Sequence, residues 1–177
     1  MAKKQAEAAD TNASRHERAF RKTKARKGSN VTEFPEVGTF DCTFLRLDNP
    51  EPEPGSKDNM KAVFEYEGAE YTVWHGMTGK AAFISLPLIK ALAMIICGTT
   101  DEEEYDDWDP KCKFISALQG IENEYSEIAA EYLGVAKVRV KVTKGGDRDD
   151  GGWFRNCYYS AVPEVSERKS KKAKRAK

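Results

Sequence analysis

The chain has 177 residues, with 29 Lys and Arg against 29 Asp and Glu and 40% apolar residues, a length that suits one domain plus extensions. Its four cysteines, Cys42, Cys97, Cys112 and Cys157, form no Cys-x-x-Cys pair, and only His16 and His75 accompany them, which excludes a zinc spacing and argues against a disulfide framework. The charge cancels in sum but not in place: 1–30 hold nine basic and three acidic residues, 164–177 hold seven and two, and 31–163 hold 13 and 24, an acidic body between two basic arms.

Basic arms suit nucleic acid or an acidic partner surface. An acidic body does not suit broad contact with duplex DNA, because phosphate contact needs cations. The first arm is polar and charged, with no apolar leader. The longest apolar run, around 86–97, is short for a membrane span and is interrupted by Pro87 and Lys90. No membrane association is expected, and free thiols in a reducing cytoplasm are.

In chain order, residues 1–30 read as a flexible, disordered arm. Arg15, Arg18, Arg21, Lys22, Lys24, Arg26 and Lys27 are its candidate nucleic-acid contacts, with Arg18, Arg21 and Lys22 foremost, and a solubilising tail is the alternative. The folded body, 31–163, opens with Gly38-Thr-Phe-Asp-Cys-Thr-Phe-Leu-Arg-Leu. There Phe40, Cys42 and Phe44 share one face of a strand, and Leu45 with Leu47 points to a bulge or to burial on both sides. The next ten residues contain Pro50, Pro52, Pro54 and Gly55 and read as an exposed loop. A second strand follows from Met60, with Ala62, Phe64 and Tyr66 on one face. Glu67-Gly68-Ala69 turns into a third strand ending near His75, where Tyr71 and Val73 oppose Thr72 and Trp74.

Residues 76–80 read as a polar loop. Met77-Thr-Gly-Lys lacks the upstream glycine of a phosphate-binding loop. Ser85 reads as a helix cap with Pro87 in the first turn, Leu88, Ile89, Leu92, Ile95 and Ile96 on the buried side, and Gly98 as the stop. Residues 101–109 hold seven carboxylates in nine positions and read as a solvated loop, since the ligand ladder of a calcium loop is missing. A short helix is expected from Asp109-Pro110 to Leu118, and a second over 121–133 with Ile121, Tyr125, Ile128, Ala129 and Tyr132 on one stripe.

The last strand pair carries the clearest pattern. Val138, Val140 and Val142 alternate with Lys137, Arg139 and Lys141, the mark of a half-buried strand with one charged face. A Gly/Asp-rich turn leads to Trp-Phe-Arg-Asn-Cys-Tyr-Tyr, where Trp153, Arg155 and Tyr159 share parity. Cations interleaved with aromatics suit a single nucleic-acid strand, charge tracking phosphates and rings stacking on bases. An ordinary wet sheet surface gives the same alternation. The tail 164–177 is a low-complexity basic arm.

Three meander strands, a core helix and two more strands follow the element order of an OB-fold. In Gly38-Thr-Phe-Asp-Cys, Met60-Lys-Ala-Val-Phe-Glu-Tyr-Glu-Gly, Ile84-Ser-Leu-Pro-Leu-Ile-Lys-Ala-Leu, Gly134-Val-Ala-Lys-Val-Arg-Val-Lys-Val and Arg155-Asn-Cys-Tyr-Tyr-Ser-Ala-Val-Pro, the chain resembles phage-encoded single-stranded-DNA-binding proteins of the OB type over about 34–163. It departs from them in its basic tail and in the long insertion 101–133. The fold class expected is mainly β with helices: an OB-like five-stranded antiparallel barrel with a core helix, an acidic helical insertion and flexible basic arms.

The resemblance implies a non-catalytic binder of single-stranded DNA in phage-type replication, recombination or repair. Its site would comprise Trp74, Lys137, Arg139, Lys141, Trp153, Arg155, Tyr159, Arg18, Arg21 and Lys22. Its partners would be single-stranded DNA, then replication or recombination proteins or a second copy of the chain. No metal and no cofactor are expected. The alternative is a virion structural or assembly protein using an OB-like interaction module, with arms that contact nucleic acid. An enzyme is not expected, because no paired catalytic constellation stands out.

Overall fold

The alternating segments become β1 (Val31–Thr32), β2 (Gly38–Asp48), β3 (Asn59–Tyr66), β4 (Ala69–Gly76), β5 (Lys137–Asp147) and β6 (Trp153–Ala161). Between β4 and β5 lie α1 (Gly79–Ile96), α2 (Glu102–Trp108), α3 (Lys113–Leu118) and α4 (Ser126–Tyr132). The computed structural model describes residues 31–32, 34, 36–49, 59–147 and 153–163. The two arms, with Arg18, Arg21 and Lys22, lie outside the described residues.

All strand pairs are antiparallel, in the order β1-β4-β3-β2-β5-β6. The five long strands are those expected; β1 adds a short edge. β2, β3 and β4 form a meander, and β5 returns through the helices to lie beside β2, which is a Greek-key order. Of the two readings of Leu45 and Leu47, the bulge is present, as a register shift between Phe44 and Arg46. The β3–β4 turn has positive φ at both Glu67 and Gly68 (52° and 79°), the hairpin geometry whose twist matches the strands.

The hydrogen-bonded order is open, but the sheet curls until its ends meet. His75 of β4 and Tyr159 of β6 are hydrogen-bonded, Nε2 to hydroxyl, at 2.9 Å. The Arg155 guanidinium donates to the Phe34 carbonyl just past β1, and β1 also packs on β6. Inside the curl, Phe34, Phe40, Phe44, Phe64, Val73, Val138 and Val140 meet Leu88 and Leu92 of α1 in one core.

Four expectations about the helices need correction, one of them the start of α3, which begins at Lys113 and not at Asp109-Pro110. α1 begins at Gly79, six residues before Ser85, with Thr78 as its N-cap, and Pro87 lies inside it. Proline removes the bond to the carbonyl four residues back. Here burial of Leu88, Ile89, Leu92, Ala93 and Ile96 offsets that loss. At 18 residues, α1 is long and apolar enough to cross a membrane by length and composition, and half of it is buried inside the molecule. Its stop is as expected: Gly98 N–H donates to Ile95 O and Thr99 N–H to Met94 O, a Schellman motif with Gly98 at φ +83°.

The acidic block is not a solvated loop but contains α2. Asp101 Oδ1 accepts from the backbone N–H of Glu103 and Glu104 and so caps the helix. Glu102 and Asp106 reach Lys90 Nζ at 2.9 and 2.6 Å, and that lysine is buried in α1. Asp109 is fully buried and accepts from the backbone N–H of Lys113 and Phe114, opening α3. The helix expected over 121–133 is shorter, Ser126–Tyr132. Asn123 accounts for the difference: its side chain bonds Tyr125 N–H and the carbonyls of Lys113 and Ile121, a local alternative to helix.

Candidate nucleic-acid interface

The strand registers fix which side chains share the outer face of the sheet. Val138, Val140 and Val142 are buried, so Lys137, Arg139 and Lys141 face outward as the alternation requires. Across the sheet they stand in three rows: Lys137 beside Thr43, Arg139 between Asp41 and Ser160, and Lys141 between Thr39 and Tyr158.

The three cations are not equivalent. Lys137 Nζ donates to Thr43 Oγ1 at 2.6 Å. Arg139 is bidentate on Asp41, with Nε and Nη2 at 2.6 and 2.7 Å from the two carboxylate oxygens. The hydrogen bond from Arg139 holds the Asp41 carboxyl below the usual carboxylate range, and Asp41 in turn raises Arg139. Lys141 is exposed, and its side chain makes no hydrogen bond or ion pair among the described residues.

On β6 the parity shared by Arg155 and Tyr159 is the inward one, which corrects the expected site. Tyr159 pairs with Val140, is 3% exposed and bonds His75; it is a core residue. Arg155 pairs with Lys144 and spends its guanidinium on the Phe34 carbonyl. Trp153 opens β6 opposite Asp147, and its side chain lies outside the described residues. Among the described residues, the outward ring on β6 is Tyr158, directly across from Lys141.

Trp74 is outward and half-buried on β4, in a row that runs Val31, Trp74, Lys61, Asp48. Lys61 Nζ sits 4.0 Å from the Trp74 ring centroid, held over the negative face of the ring. Trp74 is three strand spacings from β5, or roughly 14 Å along the sheet. Its row crosses β2 at Asp48, whereas Lys141 crosses at Thr39. The two aromatic–lysine pairs, Trp74 with Lys61 and Tyr158 with Lys141, therefore occupy opposite corners of the face. Between them lie Glu65 and Glu70, and Arg46 bonded to Asp48 and Glu70.

The chain matches no known protein family, curated protein or solved structure.

The buried titratable groups behind this face are poor reactants. His75 is fully buried, and burial pushes it down to about 3, so it is neutral and shielded from solvent. Burial, then the charges of Asp41 and Glu65, pushes the Cys42 thiol up to about 12, which removes the thiolate at neutral pH. Among the described residues no group of three or more His, Cys, Asp or Glu is arranged to hold a metal ion. The outer face can stack a ring at each of two corners and offer a few cations to phosphates.

Sequence reasoning missed Lys61, Tyr158 and Asp41 as members of this face. Alternation assigns Asp41 to the side opposite Phe40 and Cys42, so its outward position was available. Its position opposite Arg139 needed the β2–β5 register.

Proposed function

We propose that this chain is a non-catalytic single-stranded nucleic-acid-binding protein on an OB-like barrel, acting in phage-type DNA replication, recombination or repair in the host cytoplasm. Support for the OB-like reading comes from the Greek-key order β5-β2-β3-β4 with β6 at the edge, and from the curl that brings β6 to β4. An OB-fold is a partly open five-stranded Greek-key barrel that binds oligonucleotides on the face of its second and third strands. Those strands are β3 and β4 here. The observation that carries the functional reading is Trp74 on the outer side of that strand pair, with Lys61 beside it.

A base stacked on Trp74 would contribute roughly 1–3 kcal/mol, with Lys61 displaced toward the phosphate. Titrating the full chain with oligo-dT at low salt, read by tryptophan quenching, should show saturable binding. Trp74→Ala should weaken it by about one to two decades with Tm kept, as expected for loss of one stacked base. Absence of binding by the parent at low salt would overturn the reading.

One observation favours the virion-assembly alternative. The outer face carries both signs of charge, with Arg139 and Arg46 already paired to carboxylates. Such a face suits an acidic and basic protein neighbour as well as it suits a phosphate backbone. The same titration separates the two, since an assembly module would leave oligo-dT unbound at the sheet.

A further inference from the structure

Most of the acidic excess of the body sits in one place. Residues 101–133 hold eleven acidic and two basic residues, a net of −9. Where the end of α1 meets α2 and α4, a cleft of about 340 Å³ opens, lined by Cys97, Thr99, Glu104, Tyr105, Trp108 and Tyr132 among others. Three of its seven lining residues are aromatic, and Trp108 stays 38% exposed although its ring packs on Phe114 and Tyr125. Tyr105 is fully buried, yet its hydroxyl has no hydrogen-bond partner among the described residues. Aromatic walls, a carboxylate and an unsatisfied hydroxyl are together the complement of a cation that carries N–H donors.

The chain supplies such cations close by. Segment 164–177 contains seven Lys and Arg and follows β6. β6 ends at Ala161, which pairs with Val138. Two residues before Val138, the Ala136 N–H donates to the carbonyl of Tyr132, a wall of the cleft, at 2.9 Å. These steps span roughly 20 Å, while fourteen extended residues reach roughly 46 Å.

We infer that the cleft between α1, α2 and α4 binds a basic side chain of the chain's own segment 164–177, docking the tail on the acidic helical segment. If the nucleic-acid reading above holds, on which this last step rests, DNA phosphates and the cleft compete for the same cations.

Cys97 reports the cleft from inside, because it lines the wall and is half-buried, while Cys42, Cys112 and Cys157 are buried. The measurement is its alkylation by neutral iodoacetamide in the full chain. The parent should react slowly at about 0.02 M salt and at least about fivefold faster at about 0.3 M, where exposed charges are screened. A variant with Lys171→Glu, Lys172→Glu, Lys174→Glu and Arg175→Glu should react fast at both. Removing cations near a thiol by itself favours the thiol over the thiolate and slows alkylation, so acceleration reports uncovering. Glu104→Gln should fall between the two. Equal rates in the parent and the charge-reversed variant at low salt would overturn the docking. So would protection that disappears on dilution, which would place the tail in a second copy. Oligo-dT should accelerate alkylation of the parent. If salt and charge reversal accelerate it but oligo-dT neither binds nor accelerates, the nucleic-acid reading fails and the docking stands.

Discussion

On the outer face of the sheet, Arg139 grips Asp41 with two short hydrogen bonds, and both side chains remain in reach of solvent. Under the helical segment, Lys90 is 1% exposed and meets Glu102 and Asp106, each with one side open to water. In the first pair, water replaces whichever partner is lost, so little stability rides on it. In the second, burial disfavours the charged lysine, but hydrogen bonds from its ammonium to Asp106 and Glu102 outweigh that and leave its pKa raised. This lysine joins the acidic segment to the core helix. Similar chemistry thus tunes a surface in one region and attaches a segment in the other.

The largest effect should come from breaking the buried pair. Lys90→Ala should destabilise the protein by about 3 kcal/mol, near the lower end for a broken buried pair because solvent can still reach the two carboxylates. Urea unfolding measures this, and a loss below about 1 kcal/mol would mean the segment is held by packing of α2 and α3 instead. Arg139→Ala in the same assay should change stability little.

The sheet has a buried polar contact of its own, which sharpens the comparison. His75 is lowered to about 3 by burial, against 6.5 for an ordinary histidine. Its contribution is complete above pH 6.5 and is lost progressively as pH falls toward 3, because the unfolded chain binds a proton that the folded one refuses. From pH 7 to pH 5 this group alone should remove about 2 kcal/mol. His75→Gln should flatten that part of the profile, whatever its stability at pH 7. A variant with the parent's slope between pH 7 and pH 5 would show that His75 does not carry this acid sensitivity, since carboxylates such as Asp41, held below 3.8, lose their contribution only at lower pH.

The smallest effect tests the exposed pair as a tuner. Asp41→Asn frees the Arg139 guanidinium without touching the core. If single-stranded DNA lies along β5, affinity should rise a few-fold and the salt slope should steepen by about 0.7, the increment for one further phosphate neutralised. Lys141→Ala should reduce the slope by about the same amount, and Arg139→Ala should leave it nearly unchanged. Equal losses for Lys141→Ala and Arg139→Ala would show that Asp41 does not mask the arginine.

Local pattern by itself determined the five long strands, the stop at Gly98 and the outward course of Lys137, Arg139 and Lys141. Each follows from period-two burial or from a backbone conformation confined to a few residues, and neither depends on what lies across the sheet. The helix start at Gly79 was hidden because Pro87 locally marks a first turn, and only burial of the helix against the sheet overrides that mark. α2 was hidden because its carboxylates are stabilised by partners distant in sequence, such as Lys90. The inward parity of Arg155 and Tyr159 depends on where β6 pairs with β5, across a register shift between Lys144 and Asp147. Which of Lys137, Arg139 and Lys141 is left without a carboxylate or hydroxyl among the described residues, and that Trp74 stands at the far corner from it, are properties of strand order. Strand order is set by long-range burial and chain closure, which side-chain periodicity along a single strand does not contain.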